Sequence, residues 1–139
     1  MSMFQPTAEG EHQPSRRQLR VLLVDDDLML LHSLRNILEQ DGHVVMTAGG
    51  GQEGIDTFAA AVASGTPFSA VITDLGMPDV QGRKVAALIK ALSPRTLVIL
   101  LTGWGDHLLA EHAIPPCVDR MLSKPPRLAE LRAALATIR

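Results

Sequence analysis

Short apolar runs alternate along this chain with longer segments whose apolar residues recur at helical spacing, and no other feature restricts the fold as much. The runs are R-V-L-L-V-D, H-V-V-M-T-A, S-A-V-I-T-D, T-L-V-I-L-L and C-V-D-R-M-L. Alternation of this kind is the mark of parallel strands joined by crossover helices. The first, third and fourth runs are almost continuously apolar, which places them in the middle of a sheet covered on both faces. The second and fifth belong nearer the edges. Between the runs, Leu30, Leu34, Ile37 and Leu38 mark one helical face, and Ile55, Phe58, Ala59 and Val62 a second. Val85, Leu88, Ile89 and Leu92 mark a third, ended by Ser93-Pro94, and Leu128, Leu131, Leu135 and Ile138 the last. The fourth helical segment, G-W-G-D-H-L-L-A-E-H-A-I, meets Pro115-Pro116 early and is expected to be short. The expected architecture is therefore α/β, a doubly wound five-stranded parallel sheet with helices on both faces.

A chain of 139 residues that is 46% apolar suffices for one core of this kind and not for two. Residues 1–18 lack apolar periodicity and read as a flexible leader, leaving 19–139 as the domain. No stretch approaches the roughly 18 apolar residues of a membrane helix, and the polar opening lacks the core of a secretory signal. Cys117 is the single cysteine, so no internal disulfide can form. It reads as a small core residue, and a reducing, cytoplasmic setting is expected. A net charge of −2 gives no basis for nucleic-acid binding.

In an open parallel sheet ligands bind beyond the carboxyl ends of the strands. Here the first run ends in Asp25-Asp26-Asp27 and the third in Asp74, the fourth leads into Thr102, and the fifth into Lys124-Pro125. If the first and third strands are neighbours, carboxylates cluster. Two of them about 4 Å apart repel by roughly 4 kcal/mol at an effective dielectric near 20, so the cluster needs a cation or a proton. With oxygen donors alone on offer, and no metal-ligand spacing among the five histidines, Mg²⁺ fits better than Zn²⁺. A carboxylate oxygen can also attack phosphorus, which makes Asp74 a candidate nucleophile. Lys124 and Thr102 could neutralise the equatorial phosphoryl oxygens. Singly, these residues read as helix caps, turn residues or solvated charges. Their joint placement at four strand ends favours a site. Asp27 stands apart, facing solvent or capping the first helix.

The acidic pair, Asp74 in D-x-x-M-P, Thr102 and Lys124-Pro125, in that order, resemble the response-regulator receiver family, over roughly Leu19 to Arg139. The resemblance implies a flavodoxin-like strand order 2-1-3-4-5. It also implies Mg²⁺ held by Asp25, Asp26, Asp74 and the Gly76 carbonyl, and a cis peptide at Lys124-Pro125. Asp74 would take a phosphoryl group from a histidine kinase or histidine phosphotransfer protein and so change contacts with a downstream protein. The chain would assist its own phosphorylation and dephosphorylation without being an enzyme in the usual sense. It would be a stand-alone receiver or part of a hybrid kinase, with output through contacts. Those contacts, including any homodimer, would use the fourth helix, fifth strand and fifth helix.

Two features depart from the family pattern. Met121 stands where most receivers carry Tyr or Phe as a rotamer switch, three residues before the lysine. The second is Gly76, two residues after Asp74, combined with Trp104, two residues after Thr102, positions that in the family influence water's access to the phosphoryl group; Trp104 could form a lid that slows hydrolysis, the alternative being a Trp packed on the fourth helix. Two other functions fit parts of the sequence. A haloacid-dehalogenase-type phosphatase also uses a strand-end Asp, but Leu28-Met29 follows Asp25-x-Asp27 where its motif needs Thr or Val. A pseudo-receiver would act as an interaction module without phosphorylation, against which the full set of acids, Thr102 and Lys124 weighs.

Overall fold

Strand residues of opposite parity feed two separate cores, one on each face of a single sheet. The computed structural model describes residues 18–103 and 114–138. Its strands are β1 (Arg20–Val24), β2 (Val44–Ala48), β3 (Ala70–Asp74), β4 (Leu97–Thr102) and β5 (Arg120–Ser123), all parallel in the order β2-β1-β3-β4-β5. Four helices accompany them among the described residues: α1 (Leu28–Gln40), α2 (Gly51–Ala63), α3 (Gly82–Leu92) and α4 (Leu128–Leu135). The expected fourth helical segment falls on residues 104–113, outside the described residues, as does the leader but for its last residue.

Because side chains alternate across a strand, Val21 and Leu23 join Ile72, Ile99 and Leu101 beneath Leu31, Leu34 and Leu38 of α1 and Leu131 and Leu135 of α4. Leu22 and Val24 join Val71 and Val98 on the other face, beneath Phe58 of α2 and Val85 and Ile89 of α3. The middle strands β1, β3 and β4 are buried nearly throughout, whereas β2 is half exposed. The sheet thus has the expected order, edges and coverage.

Three local expectations need correction. The buried faces of α2 and α3 are rotated from those read off the larger apolar residues. In α2 the sheet contact falls on Gly54, Phe58 and Ala61, since a Cβ at Gly54 would lie 2.8 Å from a Val24 methyl. In α3 it falls on Val85, Ala86 and Ile89, leaving Leu88 and Leu92 exposed. Small residues let helices approach closely, so they occupy the inner face. Next, β5 begins only at Arg120, because the turn before it bends at Cys117 (φ +69°) and the Asp119 carboxylate accepts the Val98 amide at 2.8 Å. Finally, Cys117 is exposed on that turn and is not a core residue.

Register then decides what meets at the carboxyl edge. Val24 pairs with Thr73, Asp74 with Leu101 and Thr102 with Ser123, so the residues ending β1, β3, β4 and β5 come level. The return from β3 is tight: a Cβ at Gly82, in the first turn of α3, would lie 2.2 Å from the Asp74 carbonyl oxygen and 2.9 Å from a Leu100 methyl. Gly82→Ala must therefore push α3 off the sheet and is expected to cost about 1–3 kcal/mol, typical of overpacking. Urea denaturation checks this, and an unchanged midpoint would show that the contact yields freely.

Candidate functional site

Asp25 lies just past β1, where its amide still donates to the Ala48 carbonyl (3.1 Å), so its side chain is fixed by the sheet. Asp74 is the last residue of β3. Both carboxylates are buried. Lys124 follows β5, with the Lys124-Pro125 peptide cis, and its Nζ donates to Asp25 Oδ1 and Asp74 Oδ2, each at 3.1 Å. Asp25 Oδ1 also accepts the Asp27 amide at 2.8 Å. The first, third and fifth strands thus converge on one ammonium.

That ammonium does not balance the site. Asp25, Asp26 and Asp74 each present a carboxylate oxygen within 4.8 Å of the others. Among the described residues, Asp25 Oδ2 is buried without a hydrogen-bond partner. Burial pushes the Asp25 carboxyl above its ordinary value; the Asp27 amide and Lys124 counter part of that rise, and the Asp74 charge adds to it. Burial also works to lower Lys124, but the hydrogen bonds and charges of Asp25 and Asp74 outweigh it and hold the ammonium above the usual lysine value. A lone carboxylate oxygen beside two further carboxylates suits a hard divalent cation, which favours oxygen donors and neutralises their repulsion. Asp25, Asp26 and Asp74 are the residues that could hold one.

The cleft above them, about 650 Å³, is lined by Asp26, Asp74, Gly76, Thr102 and Lys124. Asp26 is exposed, whereas Thr102 is buried at the end of β4. A Cβ at Gly76 would meet nothing within 4 Å among the described residues. Asp27 faces away and caps α1, accepting the Leu30 amide at 3.2 Å. Met121 is buried in β5, paired with Leu100. Trp104 lies outside the described residues. Gln81 and Arg83 also line the cleft. No motif marks them in the sequence, because only the close return of α3 at Gly82 brings them there.

The sequence pattern of the response regulator receiver domain matches residues 21–136. This chain belongs to the response regulator receiver family. Among curated relatives, the receiver is 32% identical over 115 residues to the photosynthetic apparatus regulatory protein RegA of Cereibacter sphaeroides, covering 83% of this chain and 60% of RegA. It spans less than two thirds of the length of such relatives. Its fold is similar to a receiver domain protein from Clostridium thermocellum (TM-score 0.73, 30% identity, 86% of this chain and 92% of that one). It is equally similar to TrrA of Thermotoga maritima, solved in complex with Mg²⁺-BeF (TM-score 0.73, 26% identity, 86% and 98%). Among the described residues no helix is long and apolar enough to cross a membrane.

The raised Asp25 carboxyl makes a signed prediction about stability. In the metal-free protein the folded chain takes up a proton at Asp25 more readily than the unfolded chain does. The associated stability is fully present below the ordinary value of 3.8 and is lost as pH rises through the raised folded value. Asp25→Asn, which keeps an oxygen for Lys124 and the Asp27 amide, is therefore expected to exceed wild type in metal-free stability at neutral pH by about 1 kcal/mol. The gap should close on acidification. Chemical denaturation with and without Mg²⁺ at several pH values checks both, and the variant should lose any stabilisation that Mg²⁺ gives wild type.

Proposed function

We propose that this receiver accepts a phosphoryl group on Asp74 from a histidine kinase or histidine phosphotransfer protein and passes the signal on by changing its contacts with a downstream protein. The single observation that carries the reading is the Lys124 ammonium bridging Asp25 and Asp74 beside the unpartnered Asp25 oxygen. That arrangement offers a nucleophile, a fixed cation and an opening for a second cation at one point. Membership of the family and likeness to a receiver solved with Mg²⁺-BeF support it.

In the transfer, an Asp74 carboxylate oxygen forms a bond to phosphorus as the donor's P–N bond breaks, and the imidazole nitrogen leaves with the electron pair and takes a proton from solvent. Phosphoryl transfer needs alignment and charge neutralisation more than covalent help. Lys124 is already held at Asp74 and would pair with an equatorial phosphoryl oxygen without reorganising. The Thr102 hydroxyl, at the end of the neighbouring strand, would donate to another. Asp25, Asp26, Asp74 and the Gly76 carbonyl would hold Mg²⁺, which when bound neutralises the remaining phosphoryl charge. A donor would approach along the cleft that Gly76 lines, and Trp104, two residues after Thr102 in sequence, is a candidate gate on hydrolysis. Output would use the fourth helical segment, which lies outside the described residues, together with β5 and α4, the fifth helix of the sequence reading; buried Met121 takes the place of an aromatic switch there, and a homodimer through that surface is one form the output could take.

Incubation with acetyl phosphate and Mg²⁺ should add the mass of one phosphoryl group, mapped to Asp74. Asp74→Asn should show none, and Lys124→Ala should slow the modification by about tenfold or more. No modification from either acetyl phosphate or a cognate kinase would overturn the reading in favour of a non-phosphorylated interaction module.

A further inference from the structure

The loop from Leu75 to Gln81 carries Gly76, and its base is closed by two backbone hydrogen bonds. The Leu75 amide donates to the Leu101 carbonyl, and the Gly82 amide to the Leu75 carbonyl, both at 2.9 Å. Buried Met77 anchors it in the core beneath α2 and α3. The tip is held from elsewhere. Asp79 accepts the Gly51 amide on Oδ1 and the Gln52 amide on Oδ2, both at 3.0 Å.

Those amides open α2, whose N-cap residue Gly50 has no side chain to satisfy them. Asp79 therefore caps a helix that precedes it by 27 and 28 residues in the chain. The glycines shape the contact: a Cβ at Gly50 would lie 3.1 Å from Asp79 Oδ2, and one at Gly51 only 2.4 Å from the Val80 carbonyl oxygen. The amides of Gln52, Val80 and Gly51 hold the Asp79 carboxyl below the ordinary carboxylate range, consistent with a fixed anionic cap.

We propose that Asp79 is a positioning residue for the metal centre: by clamping the loop tip to α2, it fixes the Gly76 carbonyl at the distance and direction Mg²⁺ requires. This rests on the Mg²⁺ site of the proposed function. Asp79 touches neither the cation nor the phosphoryl group. Groups that hydrogen-bond a metal ligand directly typically alter metal affinity by about 10- to 100-fold when removed; Asp79 acts one step further out, through the loop that carries Gly76, so its effect belongs at the lower end of that range. A merely structural cap would lower stability and leave affinity alone.

The test compares Mg²⁺ affinity by titration calorimetry in the full chain and in Asp79→Ala, Asp79→Asn and Gly50→Ala. Asp41→Ala serves as control, since it breaks the ion pair between Asp41 and Arg132 at the opposite end of the molecule. Asp79→Ala should weaken Mg²⁺ binding about tenfold, with Gly50→Ala acting in the same direction. Asp79→Asn, which keeps an acceptor oxygen, should recover part of the loss, and Asp41→Ala should stay within about twofold of wild type. Hydrogen exchange over residues 75–81 in the metal-free chain should rise in Asp79→Ala and not in Asp41→Ala. Unchanged affinity in Asp79→Ala, or an equal loss in Asp41→Ala, overturns the proposal. Absence of Mg²⁺ binding in wild type overturns the underlying metal reading as well, and the wild-type titration alone reveals it.

Discussion

One ammonium held between two buried carboxylates sets the character of this molecule. Lys124 lies 99 residues from Asp25 and 50 from Asp74, yet it donates to both, so three strands must keep register for the contact to exist. The contact is poor as a stabilising device, since burial of the ions costs about as much as their attraction returns. Three carboxylates gather around the one ammonium that donates to them, and among the described residues one of their oxygens has no partner. A site left incomplete in this way has a standing affinity for added positive charge, and that affinity is what its proposed chemistry would use.

Everything beneath the site serves to hold it still. The two cores on opposite faces of the sheet draw on alternating residues of the same strands, so a register slip would turn both inside out. The loops above are tied down by backbone contacts and by Asp79, which reaches across from the β3–α3 loop to α2.

Much of this was legible from residue type and order. Continuous apolarity in three runs located the middle strands, the strand-end acids located the cleft, and Asp27 was separable as a cap. Helix faces were less legible, because size misleads: Gly54, Ala61 and Ala86 face the sheet where larger apolar neighbours seemed better candidates. Cys117 misled for a related reason, its burial depending on a turn with positive φ that its neighbours do not announce.

The sequence by itself determined the α/β alternation and the strands that lie inside, and it picked out Asp25, Asp26, Asp74, Thr102 and Lys124 as strand-end polar residues, which the fold brings together at one cleft. Periodicity and residue type are local, and they survive in a linear reading. Only the tertiary structure decided that one carboxylate oxygen lacks a partner, that Gln81 and Arg83 reach the cleft, and that Asp79 caps a helix formed well before it in the chain. Those facts depend on contacts of about 3 Å between segments distant in the chain, and close packing fixes such distances only when the whole sheet has assembled.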